Sequence, residues 1–272
     1  LTDADLNVAV GYSALDNDTQ GSKSVSIGAF ALGQQNFTTA TDNYNVGVGY
    51  AAGNAITTGV GNTLIGGVAG DALTNADDNI AIGQESLSGD TLGSKSVAIG
   101  RSALSVQNFT TATDTYNVAL GYHAGVAVTT GRLNTLIGGL AGGALTTGDN
   151  NVAIGYAALN TEDAHGNNVA IGRQALQNQN AGAEAYNVAI GSLAGNDITT
   201  GLQNTLIGGI AGDALTDADY NVAIGYTALG ADTLGSRSVA IGRSALQTQN
   251  FTTATSTYNT AVGYSAGGAI TT

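Results

Sequence analysis

Short runs of alternating apolar and small or polar positions recur along this chain with a fixed beat. The unit reads N-V-A-I-G-Y-x-A-L and begins at Asn7, Ser24, Asn45, Asn62, Asn79, Ser96, Asn117, Asn134, Asn151, Asn168, Asn187, Asn204, Asn221, Ser238 and Asn259. The step is 17 residues, lengthened to 21 after Ser24, Ser96 and Ser238 and to 19 after Asn168. Four units make a super-repeat of 72 residues, shortened to 70 in one copy. Seventeen residues are too few for a helix pair and suit one coil of a parallel β-solenoid. The pattern therefore predicts an all-β parallel solenoid of about 15 coils.

Numbered from its Asn or Ser, the unit has Val, Ile or Thr at position 2 and Val or Ile at position 4, apart from Leu120. These two positions share one face of a short strand, and branched side chains suit stacking on the next coil. Position 5 is Gly in every unit, which predicts positive φ or close backbone approach. Position 3, on the opposite strand face, is Ala, Gly or Ser except at Leu64, Leu136 and Leu206. A solvated face would carry Thr, Lys, Ser or Asn, so the small apolar row predicts cover by a second copy of the chain. The simplest such homo-oligomer is a trimer about the fibre axis.

A second pattern alternates along the array. Position 9 is Leu or Gly in successive pairs: Leu15 and Leu32, Gly53 and Gly70, Leu87 and Leu104, Gly125 and Gly142. In the 17-residue coils position 12 answers it. Leu15, Leu87, Leu159 and Leu229 go with Asp18, Asp90, Glu162 and Asp232; Gly53, Gly70, Gly125 and Gly195 go with Ile56, Leu73, Val128 and Ile198. Each coil then supplies one large apolar group at this end of its cross-section, as a core of fixed volume demands. Thr at position 13 (Thr19, Thr57, Thr74, Thr91, Thr129) predicts a hydrogen-bonded stack, interrupted by Asp163.

Composition narrows the function classes. With 43% hydrophobic residues the chain is too apolar for disorder, and its 41 Gly follow no collagen period and come without Pro. A net charge of −13 repels phosphate backbones and anionic membranes, so neither nucleic acid nor a lipid surface is expected as a partner. No apolar run reaches the 18 residues of a membrane span. There is no Cys for disulfides or thiolate metal sites. The chain opens with Leu1 and both ends fall inside a repeat, so residues 1–272 read as one continuous array cut from a longer fibre.

The loops that lengthen the period are the natural candidates for specificity. Three are near-identical, QNFTTATDNY from Gln35, QNFTTATDTY from Gln107 and QNFTTATSTY from Gln249; the fourth, QNQNAGAEAY from Gln177, lacks Phe. The candidate contact or glycan residues are Asn36, Phe37, Asn108, Phe109, Asn250 and Phe251. Each Phe is placed to stack on a sugar or partner, or to fold back as a lid on the core. Each N-F-T is a formal glycosylation sequon. Tyr before position 1 and at position 6 predicts stacking at coil corners, and the recurrence of Arg101, Arg173 and Arg243 predicts surface or intersubunit pairing.

Chemistry is otherwise sparse. The two His, His123 and His165, occupy different parts of the coil outline, and the sequence offers no zinc ligand set, catalytic triad, phosphate loop or cofactor site. Asp71, Asp77 and Asp78, with Asp213, Asp217 and Asp219, are a calcium candidate only, because Gly143 and Thr147 interrupt the pattern in the intervening copy.

Units such as NVAIGYAAL from Asn151 and SVAIGRSAL from Ser96 and Ser238 resemble the head repeats of YadA-like trimeric autotransporter adhesins. The N-T-x-x-G form from Asn134 and Asn204 is similar to repeat arrays of bacteriophage and bacterial tail-fibre proteins. The resemblance covers essentially the whole chain and implies a left-handed β-roll, a trimer and a role in attachment. The expected function is a non-catalytic shaft or head segment of an extracellular or virion fibre, facing a cell-surface glycan or protein receptor. The alternative is a self-assembling extracellular filament in which the solenoid is itself the polymer. An enzyme that cleaves polysaccharides would need a recurring acidic pair on a strand face, which the sequence lacks.

Overall fold

The computed structural model describes residues 4–272, and within them the protein is all-β, without a helix. It comprises fifteen coils, each with a three-residue strand at positions 2–4 of the repeat unit. The chain forms two compact units, the first ending at Leu133 and the second running Asn134–Thr272. In the first, seven strands from Val8–Val10 to Val118–Leu120 pair in parallel. In the second, eight strands from Thr135–Ile137 to Thr260–Val262 do the same. Register follows the repeat, so that Val152 lies on Val169, Ala153 on Ala170 and Ile154 on Ile171. The 21-residue coils add short parallel pairs, Gly21–Ser22 with Thr41–Asp42, Gly93–Ser94 with Thr113–Asp114 and Gly235–Ser236 with Thr255–Ser256.

Glycine at position 5 ends each strand because the neighbouring coil leaves no room for a side chain. Its φ lies between 126° and 141° throughout, a region closed to L-residues. A Cβ on Gly28 would lie 2.3 Å from the carbonyl oxygen of Gly49, and one on Gly155 would lie 2.5 Å from that of Gly172. The chain turns where only a glycine can pass.

The strand faces are the reverse of the expectation for position 3. Ala81, Ala98, Ala153 and Ala170 are fully buried, as are Leu64, Leu136 and Leu206, so position 3 fills the interior of its own coil rather than meeting a second chain. The reason is volume. Position 3 is small wherever position 9 supplies Leu. Where position 3 is Leu, the flanking position 9 residues are Gly: Cβ atoms on Gly53 and Gly70 would lie 2.6 and 2.8 Å from the methyls of Leu64. Gly195 and Gly212 flank Leu206 in the same way, at 2.7 and 2.8 Å. The Leu and aliphatic alternatives at positions 9 and 12 are also fully buried, among them Leu87, Leu159, Ile56, Leu73 and Ile198. Two small residues around one large one keep the packing close to constant.

The repeat's leading Asn has a role that its polarity alone does not announce. Asn45, Asn62, Asn79, Asn151, Asn187, Asn204 and Asn221 are buried without exposure. The side-chain oxygen of Asn62 accepts from the backbone N–H of Asn79 at 3.0 Å, while its amide donates to the carbonyl of Ala76 at 2.8 Å. Asn45 does the same with the N–H of Asn62 and the carbonyl of Gly59. The ladder satisfies backbone groups that each corner would otherwise bury unpaired. Thr hydroxyls at position 13 form the stack expected of them, Thr74 donating to the carbonyl of Thr91 at 3.0 Å and Thr216 to that of Thr233 at 3.1 Å.

Candidate functional site

With position 3 turned inward, Val, Ile and Thr at positions 2 and 4 face outward in each unit. Apart from Phe30, Val106 and Ile270, every exposed large apolar side chain among the described residues lies at position 2, 4 or 6 or just before position 1. Tyrosines at the last two places range from 44% exposure at Tyr220 to 74% at Tyr264. Charge follows the same division. In the second unit all three cations, Arg173, Arg237 and Arg243, flank the Val/Ile rows, and none of the acids does. In the first unit Lys23, Lys95 and Arg101 flank them against a single acid, Asp78.

Each cation in these columns has a tyrosine in a neighbouring coil of the same column. The Arg237 guanidinium lies 4.8 Å from the ring of Tyr220 and 5.9 Å from that of Tyr258; Arg243 lies 5.9 and 5.8 Å from Tyr226 and Tyr264. Lys23 and Lys95 sit over Tyr44 and Tyr116 and pair with Asp42 and Asp114 of the excursion loops. The hydrogen bond from Lys95 holds the Asp114 carboxyl below the ordinary carboxylate range, and the bond to Asp42 holds the Lys23 ammonium above its usual value. In the third loop Ser256 replaces the acid, and Arg237 donates to its hydroxyl at 3.2 Å. Beside this column are two open polar recesses at equivalent places. One of about 270 Å³ is lined by Asp219, Tyr220, Arg237 and Ser256. The other, about 660 Å³, is lined by Asp77, Ser94, Asp114 and Arg132.

The excursion loops are pinned from beneath by a buried carboxylate. Asp90 accepts from the backbone N–H groups of Gly93 and Phe109, each at 3.0 Å, and from Nε2 of Gln107 at 2.5 Å. Asp18 and Asp232 repeat this with Gly21, Phe37 and Gln35 and with Gly235, Phe251 and Gln249. Three donors compensate the desolvation of each charge. The Gln carbonyl then accepts from the ladder Asn, as Gln107 does from Asn117 at 2.9 Å, tying loop to core. Phe37 and Phe109 are buried, at 5% and 7% exposure, and Phe251 is half-buried. Asn36, Asn108 and Asn250 remain exposed, each accepting from the position 13 Thr of the preceding coil. The loops therefore present Asn and Thr outward.

The fourth loop is built differently. Glu162 replaces the anchoring Asp and accepts from the N–H of His165 at 3.1 Å, the N–H of Ala181 at 3.2 Å and Nε2 of Gln179 at 3.1 Å. Ala181 stands where the other loops have Phe, and His165 where they have Gly. In the sibling turns the anchoring carboxylate excludes a side chain at position 15: a Cβ on Gly21 would lie 2.2 Å from Oδ2 of Asp18, and one on Gly93 or Gly235 2.1 Å from Oδ2 of Asp90 or Asp232. Nδ1 of His165 lies 3.3 Å from Oε1 of Glu162. Protein-family models, curated proteins and solved structures return no match to this chain.

Among the described residues, Glu162, Asp163 and His165 are the one group of three or more potential metal ligands brought together, their ligand atoms all within 4.8 Å. The acids considered for calcium do not form such a group. Sequence reasoning placed the two histidines in different parts of the coil, correctly, but overlooked that His165 shares its turn with two acids. The signal was present: Glu-Asp-x-His stands where three sibling turns read Asp-Thr-x-Gly.

Proposed function

We propose that the chain is a non-catalytic shaft or head segment of an extracellular or virion fibre that mediates attachment, assembled from three copies. The observation that carries this reading is the outward Val/Ile face with its Tyr and Lys/Arg borders, which concentrates the exposed large apolar side chains. Contiguous apolar surface of this kind marks an interaction face. A copy related by rotation covers it with its own equivalent residues. The resemblance of the units to adhesin-head and tail-fibre repeats supports the same reading, as does a fold in which each coil meets only its neighbours and can be multiplied at will. In this reading the excursion loops, with Asn36, Asn108 and Asn250 and the polar recesses beside them, face a glycan or protein receptor.

Sedimentation equilibrium with native mass spectrometry tests the assembly, and three copies are expected. Ile154→Lys with Ile171→Lys, both on the outward row, should release monomers with an unchanged β spectrum. A monomeric parent protein overturns the trimer, and mass that grows with concentration selects the filament instead. Attachment is tested by binding of labelled protein to a glycan array and to cells. Signal that survives substitution of Asn36, Asn108 and Asn250 would remove the loops from the contact.

A further inference from the structure

The turn before the Gln177 loop differs from its three counterparts at each position able to reach a shared ligand. Positions 12, 13 and 15 read Asp18, Thr19 and Gly21, then Asp90, Thr91 and Gly93, then Asp232, Thr233 and Gly235; here they are Glu162, Asp163 and His165. A single carboxylate donor has become a carboxylate, a second carboxylate and an imidazole. Their ligand atoms lie within 4.8 Å of one another, and the closest pair, His165 Nδ1 and Glu162 Oε1, is 3.3 Å apart. Two ligands held at about 2.0–2.1 Å from a tetrahedral ion are separated by about 3.3–3.4 Å. That pair is a direct imidazole–carboxylate contact, which a bound ion would replace at nearly the same separation.

The surroundings fit an ion as well. Glu162 is fully buried and fixed: Oε2 takes Gln179 and Ala181, and Oε1 takes the N–H of His165. Its second acceptor site faces the imidazole Nδ1, the contact that an ion would bridge. Such backbone and amide donors orient a ligating carboxylate in metal sites. Asp163 is exposed and His165 half-exposed, so the outer side of the cluster is open to water. Position 15 carries His165 where the sibling turns hold a Gly crowded by the anchoring Asp, and Ala181 stands in place of the Phe ring. An imidazole with two carboxylates suits a borderline divalent ion of the zinc class, whereas calcium and magnesium take oxygen alone.

We propose that Glu162, Asp163 and His165 bind one zinc-class divalent ion per chain, with water completing the coordination, and that the ion clamps the one excursion loop that lacks a Phe lid. The three sibling turns serve as internal controls, because none offers a second or third ligand.

Isothermal titration of tag-free protein with zinc tests this, together with thermal melting in zinc and in chelator. One equivalent per chain and a rise in melting temperature with zinc are expected. Cobalt substitution should give the intense visible absorption of a tetrahedral site. Asp163→Thr, which installs the residue of the sibling turns, should fold normally and weaken zinc binding at least tenfold. His165→Ala should abolish the cobalt spectrum. No binding at micromolar zinc overturns the proposal, as does binding whose affinity and stoichiometry are the same in Asp163→Thr as in the parent. Should His165→Ala fail to fold, Asp163→Thr alone still decides.

Discussion

Leu64 takes the space that a side chain on Gly70 would need, its Cδ2 lying 2.8 Å from the position of a Cβ there. The two residues share one volume of core. Truncating Leu64 to Ala should cost about 2–5 kcal/mol, the usual range for a buried Leu that leaves a cavity. Gly70→Leu should also destabilise, by overpacking of about 1–3 kcal/mol. The double variant should lose less than the sum, since each change relieves the other. Urea denaturation of the four proteins measures the coupling, and strict additivity would show that the two sites are independent.

The asparagine ladder makes a sharper demand. Asn62→Ala strips a partner from the N–H of Asn79 and from the carbonyl of Ala76, both in the interior. Each orphaned group costs about 1–3 kcal/mol. Asn62→Ser should not rescue the loss, because behind Ser24 and Ser96 the next N–H is taken by Asn43 and Thr115 of their longer coils, which the Asn62 coil lacks. Hydrogen exchange at the amide of Asn79 gives a local readout, and protection there should fall in both variants.

Position 5 offers no such tolerance. Gly155→Ala drives a methyl to 2.5 Å from the carbonyl oxygen of Gly172 and places an L-residue at a φ of 132°. Opening the contact must separate two hydrogen-bonded coils, so the loss should exceed the roughly 1 kcal/mol of an ordinary Gly to Ala change at positive φ. Gly67→Ala, one residue beyond a position 5 glycine but with nothing within 4 Å of its Cβ, should leave the melting temperature nearly unchanged. Equal effects of the two substitutions would rule out the close approach as the cause.

Coil length, strand positions and the position 5 glycine were legible in the sequence because stacking in register repeats any local demand at every turn. The direction of the strand faces was not. Val and Ile look like core and Ala looks like contact surface by hydropathy, but position 3 is the face turned inward, with Ala98 fully buried, while Ile99 on the other face is half-buried. The Leu and Gly alternation at position 9 was visible with its answer at position 12, but the share of position 3 was not, since Leu64 and Leu206 read as exceptions. Buried acids were also hidden. Asp18 and Asp90 resemble solvated turn residues until the Gln and backbone donors around them are placed by the fold. The cluster at His165 was discoverable only by comparing one turn with its siblings.

Two half-buried acids should make stability depend on pH in a direction opposite to that of an exposed one. Burial raises the Asp71 carboxyl above its ordinary value, and its Oδ1 has no hydrogen-bond partner. Asp213 is raised by burial and further by the charge of Asp197. Because the folded protein holds these protons more tightly than the unfolded chain, their contribution is full below the ordinary value of 3.8 and is lost as pH rises through the raised folded values. Asp71→Asn and Asp213→Asn should therefore raise the urea midpoint at pH 7 and converge on the parent near pH 3. Asp114 is lowered by its hydrogen bond from Lys95, so its contribution is present above 3.8 and disappears on acidification. Asp114→Asn should accordingly lower the midpoint at pH 7 and also converge on the parent in acid. The Asp114 effect should be the smaller and should fade in high salt, since both partners are solvent-screened. Midpoints at the two pH values separate the cases: if Asp71→Asn destabilises at pH 7, the carboxylate is meeting a partner that the structure does not show.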